Sequence, residues 1–311
     1  MVKIMLNSIR KLHGKLHDKL FAKSDFDNMY NYVVGMQNCS GLRVMDINDT
    51  LSELEKGKSM ARFGDGEMEL IKGNSIGFQK ANERLAKRLT QVLLSNHDEN
   101  CMICVPDALV NFDNITDQSL DHWVRNMFVH YSDWQQYLST EQIYGTTNVT
   151  RCYMRYKDKS NCLDWFQRLK KTWSDSKVIL VEGEKSRIGI GNDMLDNASS
   201  VVRVLCPAEN AFDKYDEIFN YVLSIADQHD IVLLALGPTA TILAYYLSHK
   251  GIRALDIGHC DVEYSWCKLG VTKKVALTGK YVNNDEVDGG ANSIKDVDDQ
   301  NYQLQIIRKI L

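Results

Sequence analysis

Ile231-Val232-Leu233-Leu234-Ala235-Leu236-Gly237-Pro238-Thr239-Ala240-Thr241 is the stretch that decides the fold class. Its first six residues are apolar without interruption, the pattern of a strand covered on both faces. They run into Gly237 and two threonines, where a helix begins and continues to His249, with Gly251 as its stop. The same alternation extends outward. Strands are predicted at Lys177–Val181, Val201–Leu205 and Ala254–Ile257. A long helix is predicted over Ala211–Gln228, with Phe212, Tyr215, Ile218, Phe219, Val222 and Ile225 on one side.

Upstream, a short helix is predicted over Asp49–Lys56 with Gly57 as its stop, then a strongly amphipathic helix over Ala81–Ser95. A strand over Met102–Val105 ends at Pro106. An aromatic-rich helix over Asp117–Leu138 reads as core, a strand is predicted over Ile143–Thr150, and a helix over Asn161–Trp173. Strands alternating with helices give an α/β fold: a Rossmann-like, mostly parallel sheet with helices on both faces. In such sheets ligands bind beyond the carboxyl ends of the strands. Attention therefore falls on the loops Gly64–Glu67, Gly183–Asp193, Gly237–Thr241 and Gly258–Glu263.

Three parts are expected: an N-terminal helical extension (1–45), the α/β domain (46–282), and a polar excursion with a C-terminal segment (283–311). Residues 1–21 read as an amphipathic helix, with Leu12, Leu16 and Leu20 on one face and Lys3, Arg10, Lys11, Lys15 and Lys19 making it basic. Packing on the body of the protein or on a partner subunit is the favoured reading; peripheral contact with an anionic membrane is the other. Homo-oligomerisation stays open.

Composition narrows the class. The chain has 311 residues, 44% hydrophobic and 25% charged, as in soluble globular enzymes. A net charge of -4 argues against a general nucleic-acid binder. No apolar run approaches the roughly 18 residues of a membrane span, and no secretory signal is legible. Eight cysteines without such a signal suggest free thiols in a reducing cytoplasm. Cys101 and Cys104 have CxxC spacing inside an apolar strand with no second pair, so structural zinc is not expected.

The chemistry concentrates in four places. In Arg62-Phe63-Gly64-Asp65-Gly66-Glu67 two carboxylates stand two residues apart; in an extended backbone both would leave on one face and suit Mg²⁺ or Mn²⁺. Arg62 offers a guanidinium fork for a diphosphate. Arg187 precedes Gly189-Ile190-Gly191-Asn192-Asp193, whose glycines expose N–H groups to an anion, with Asn192 free to read a ribose or base edge and Asp193 to join the metal or acceptor site. The helix start at Gly237, Thr239 and Thr241 has anion-binding geometry. His259, Asp261 and Glu263 alternate, so a continued strand would set them on one face, as metal ligand or phosphate donor (His259) and general base (Asp261 or Glu263).

Taken together these motifs, with Glu182-Gly183-Glu184 and Trp266, resemble the bacterial glycosyltransferases of the GT-D fold. The resemblance runs from about Asp49 to Tyr281. It implies a Rossmann-like transferase that uses a UDP-sugar, a divalent metal (usually Mn²⁺, or Mg²⁺), and a glycan acceptor on a surface adhesin or polysaccharide. The family's Asp-X-Glu motif is matched by Asp65 and Glu67. Metal ligation then falls to Asp65, Glu67 and His259. Donor binding falls to Arg62, Phe63, Gly64, Arg187, Gly191, Asn192, Gly237, Thr239 and Thr241. Acceptor activation falls to Glu263, Asp261 or Asp193, with Glu263 first. Two alternatives remain at this point: a methyltransferase binding S-adenosylmethionine through the glycine loops, and a non-catalytic nucleotide-sugar-binding component of a glycan-assembly complex.

Overall fold

The computed structural model describes residues 23–95, 98–282, 287, 289 and 293–311. The expected N-terminal helix over residues 1–21 lies outside the described residues.

Nine strands form one sheet. They are β1 (Arg43–Val44), β2 (Ser59–Arg62), β3 (Cys101–Val105), β4 (Ile143–Thr146), β5 (Lys177–Gly183), β6 (Ser200–Cys206), β7 (Ile231–Ala235), β8 (Ala254–Asp256) and β9 (Ile306–Lys309). Their order is β1-β4-β3-β2-β8-β7-β5-β6-β9, and every pairing is parallel. The expected α/β class and parallel sheet are therefore present. Both edge strands, β1 and β9, come from outside residues 46–282.

Ten α-helices lie among the described residues: α1 (Lys23–Ser40), α2 (Ile47–Glu55), α3 (Asp65–Ile71), α4 (Glu83–Leu93), α5 (Asp117–Gln135), α6 (Cys162–Lys171), α7 (Tyr215–Ile225), α8 (Pro238–Ser248), α9 (Cys260–Leu269) and α10 (Gln300–Gln305). None is long and apolar enough to cross a membrane.

The two-residue period of the strands divides their side chains between two cores. On one face Ala61, Ile103, Ile179, Val181, Val232 and Leu234 pack with α4, α5, α7 and α8. On the other, Met60, Met102, Val178, Leu180, Ile231 and Leu233 pack with α2, α6 and α9. Burial on both sides is why these strands read as unbroken apolar runs, and each fully buried aliphatic side chain contributes roughly 1.5–3 kcal/mol.

Several boundaries differ from the sequence reading. The helix expected over 211–228 divides into a 3₁₀ turn (Ala211–Lys214), α7 and a second 3₁₀ turn (Ala226–Gln228). The strand expected over 143–150 stops at Thr146, whose hydroxyl accepts the Asn148 N–H at 3.1 Å and starts a 3₁₀ turn over Thr147–Thr150. The acidic segment after β2 is helical rather than extended, because Glu67 reaches back to accept the Gly64 N–H at 2.7 Å.

Leu233 is fully buried in the sheet centre. Leu233→Ala should lower unfolding stability by about 2–5 kcal/mol, read as a fall in the urea midpoint.

Candidate active site

Strand order reverses between β2 and β8, and beyond their carboxyl ends opens a cleft of 820 Å³. That volume is in the range of small-molecule sites. The ends of β2 (Arg62), β8 (Asp256, Gly258), β7 (Ala235, Gly237) and β5 (Gly183) form its floor. Helix α5 supplies one wall through His122, Trp123 and Asn126, and the segment after β4 another through Asn148 and Arg151.

Arg62 fastens the floor. Its Nε donates to the Asp256 carbonyl, its Nη2 to Asp256 Oδ1, and its Nη1 to Thr150 Oγ1, each at 2.7 Å. Both partners of the ion pair are nearly withdrawn from water, with side chains 13% and 4% exposed. The guanidinium expected to fork a diphosphate is thus already engaged by the protein. Gly258 makes this pose feasible. Its φ is +43°, and a Cβ there would stand 2.0 Å from Arg62 Nη2.

Gly64 caps α3, so Asp65 and Glu67 fall in its first turn. The expectation of one shared extended face is corrected: residues two apart on a helix diverge. Both nonetheless line the cleft. Asp65 Oδ2 stands 3.3 Å from His122 Nε2. Burial works to raise its pKa, but His122 and the Arg151 charge prevail and hold it below the ordinary value. The Glu67 carboxyl is pushed up to about 7 by burial, against the pull of the Gly64 N–H and with Asp256 adding to the rise.

His259, Asp261 and Glu263 do not continue β8. The chain turns at His259 into α9, with Asp261 and Glu263 in the first turn. All three line the cleft. Burial, then Arg151, Arg62 and Lys274, bring the His259 pKa down to about 3, so its imidazole is neutral. Among the described residues no three His, Cys, Asp or Glu side chains gather closely enough to hold a metal ion by themselves, so His259 does not join Asp65 and Glu67 in a ligand cluster. Asp261 is enclosed. Its Oδ1 accepts from the Gly189 N–H and Asn192 Nδ2, both at 2.8 Å, and its Oδ2 pairs with buried Lys280. Glu263 Oε2 accepts the N–H groups of Tyr153 and Met154, while Oε1 has no partner among the described residues.

The other expected donor residues lie around the cleft rather than in it. Asn192, with Gly191 beside it, orients Asp261 and Ser265. Asp193 is held by Lys170 (2.6 Å), Lys268 (2.7 Å) and the Tyr264 hydroxyl, with the two lysines first in depressing its pKa. That places it outside the cleft, a correction to its expected role at the acceptor. Buried Arg187 donates to the carbonyls of Gly279 and Lys295 and pairs with Asp296, strapping down the C-terminal segment. Phe63 and Thr239 are fully buried, and Thr241 Oγ1 donates to the Arg62 carbonyl at 2.8 Å. Gly237 does reach the cleft. Its φ is +52°, and a Cβ would meet the Phe78 ring at 2.5 Å, so this helix start carries the aromatic wall.

Sequence reasoning missed Phe78, the α5 wall, and three basic residues, Arg151, Lys273 and Lys274. Only Arg151 left a signal, since it follows the carboxyl end of a predicted strand.

Residues 60–285 match the family described as "Glycosyltransferase GT-D fold". This chain belongs to that family. The GT-D chain is 36% identical over 270 residues to "Probable glycosyl transferase Gly" of Streptococcus gordonii, covering 86% of this chain and 39% of that protein. It is 35% identical over 271 residues to "Glycosyltransferase GlyD" of Streptococcus pneumoniae, covering 87% of this chain and 33% of that protein. It thus spans between a third and two-fifths of the length of these relatives. Two solved structures share the fold. "The highly conserved domain of unknown function 1792 has a distinct glycosyltransferase fold" matches with a TM-score of 0.83 and 37% identity, covering 88% of this chain and 98% of that one. "A New Glycosyltransferase (DUF1792) from Streptococcus sanguinis" matches with a TM-score of 0.82 and 36% identity, covering 87% and 100%. Family membership places this chain among the glycosyltransferases of the GT-D fold and gives the methyltransferase alternative no support.

Two outcomes follow from the packing of this site. Gly191 and Gly258 both have positive φ, but a Cβ at Gly191 meets nothing within 4 Å. Gly191→Ala should cost about 1–2 kcal/mol of backbone strain, and Gly258→Ala distinctly more because Arg62 must move; urea unfolding ranks the two. Asp193→Asn should lower stability by about 1–2 kcal/mol, a figure kept small because the carboxylate is 37% exposed and solvent-screened. The loss should fade as the pH falls through the depressed pKa of Asp193, since below it the wild-type carboxyl is also neutral.

Proposed function

We propose that this chain transfers a hexose from a UDP-sugar to a glycan acceptor, assisted by Mn²⁺ or Mg²⁺. The observation that carries the reading is the convergence of the Asp65–Glu67 turn, the Gly237 helix start and the Gly258–Glu263 segment on one cleft. The first segment lies far from the other two in sequence, and the neighbouring parallel strands β2, β8 and β7 bring all three to one end of the sheet.

The residues fit a divalent cation of this kind. Mg²⁺ and Mn²⁺ favour oxygen donors, and Mg²⁺ sites commonly use only one or two carboxylates together with water and substrate phosphates. Asp65 and Glu67 would hold the ion. When bound it would neutralise charge on the departing diphosphate.

The rest of the reading concerns the chain itself. Phe78 and the backbone at Gly237 offer an apolar wall for the nucleoside. Neutral His259 can donate or accept a hydrogen bond without adding charge. Glu263 is the best-placed base for the acceptor hydroxyl: one oxygen is fixed by two N–H groups, which orients the other. Asp261 is less suited, because Lys280, Asn192 and Gly189 occupy both of its oxygens. The relatives' names point the same way, as glycosyltransferases of streptococci. The reaction belongs in the cytoplasm under this reading.

A screen of UDP-sugars with Mn²⁺, reading UDP release and transfer of radiolabelled sugar, tests the proposal. Asp65→Ala should reduce turnover at least about a hundredfold while leaving the thermal midpoint near that of the wild type. Wild-type turnover in that variant would remove the metal assignment. Binding of UDP-sugar with no release or transfer across an acceptor panel would favour the non-catalytic alternative.

A further inference from the structure

Most basic side chains buried around the cleft have a carboxylate. Arg62 has Asp256, Lys170 has Asp193, Lys280 has Asp261, Arg155 has Asp107 and Arg203 has Glu182. Arg151, Lys273 and Lys274 are different. All three line the cleft, and none forms an ion pair or a side-chain hydrogen bond among the described residues. They come from two separate segments, Arg151 from the turn after β4 and the lysines from the loop after α9.

Their neighbourhood records their crowding. Partial desolvation by the cleft walls, then the charge of Arg151, lowers the Lys274 pKa, although the side chain as a whole is exposed. Arg151 and Lys274 both contribute to keeping His259 neutral, and Arg151 helps to keep Asp65 ionised. Like charges gathered on one concave surface repel each other, and an anion seated among them relieves that cost. A guanidinium fork and two ammonium groups lining one cleft match the oxygens of a diphosphate better than a single carboxylate, which one arginine would satisfy. The guanidinium of Arg62 cannot take this part, since Asp256 and Thr150 engage it.

We propose that Arg151, Lys273 and Lys274 form a clamp on the diphosphate of the nucleotide, strong enough to hold a nucleoside diphosphate when no divalent cation is present. The proposal rests on the nucleotide-sugar reading above and extends it. The chain meets the charge of the leaving group with fixed side chains as well as with an ion at Asp65 and Glu67. Arg151 is close enough to the carboxylate of Asp65 to help lower its pKa.

Calorimetric titration with UDP and with UMP, in EDTA and in Mn²⁺, tests this. The wild-type chain should bind UDP in EDTA, and about tenfold or more tightly than UMP. Arg151→Gln and Lys274→Gln should each weaken UDP by about tenfold and UMP much less. Arg151→Lys should recover part of the loss, because charge returns without the fork. The altered side chains are exposed, and an unchanged thermal midpoint confirms that the variants fold. The clamp is overturned if wild-type UDP binding vanishes in EDTA but appears with Mn²⁺, if UDP and UMP bind equally, or if the glutamine variants bind UDP as the wild type does. A wild-type chain that ignores UDP even with Mn²⁺ overturns the nucleotide-sugar reading, and the clamp with it.

Discussion

The contact between Arg62 and Asp256 holds the two halves of the molecule at the point where the cleft opens. β2 and β8 are short and share a single register pair, Met60 with Leu255, so ladder hydrogen bonds alone join them weakly. The guanidinium adds two hydrogen bonds across this seam, both to Asp256 of β8, and a third to Thr150 on its own side of it, in the segment after β4. A nearly buried ion pair is not in itself strongly stabilising, because desolvation offsets the attraction. What it supplies is position. Gly258 lies under the guanidinium, Thr241 binds the Arg62 carbonyl, and His259 follows immediately. Arg62, Asp256 and Gly258 of the cleft floor all meet at this one contact.

Charges around the cleft divide into those that build it and those that face into it. Asp193, Asp261, Glu182 and Arg187 are each held by two or more partners, and they fix the loop after β5 against α9 and the C-terminal segment. Such groups hold structure together, because most of their protons and lone pairs are already engaged. Asp65, Glu263, Arg151 and Lys274 retain unoccupied donor or acceptor capacity. The sequence cannot make this distinction, since a motif shows which groups are present and not which of them are already partnered.

The legible part of the fold was therefore the sheet. Runs such as Val178–Val181 and Ile231–Leu234 are apolar at every position because both faces are covered, and no tertiary context overrides that signal. The acidic turn was misjudged locally, since the side-chain bond from Glu67 to the Gly64 N–H starts a helix where alternating glycines suggested extended chain. Asp193 and Arg187 were misplaced for another reason. Their partners Lys170, Lys268 and Lys295 lie 23 to 108 residues away, and spacing within a motif carries no trace of them. Lys273 and Lys274 sit in an ordinary polar loop whose position over the cleft is set by α9.

The seam at β2 and β8 also has a bearing on how the chain acquires its shape. Strands β1 to β4 assemble from residues 43–146 and strands β5 to β8 from 177–256, each with mostly neighbouring segments. Arg62 and Asp256, by contrast, are separated by 194 positions. Closing so large a loop is entropically slow, and contacts of this range are late to be rewarded. The reaction chamber is therefore complete only once residues 43–146 and 177–256 have come together, because both cores and the cleft floor draw on the two stretches at once.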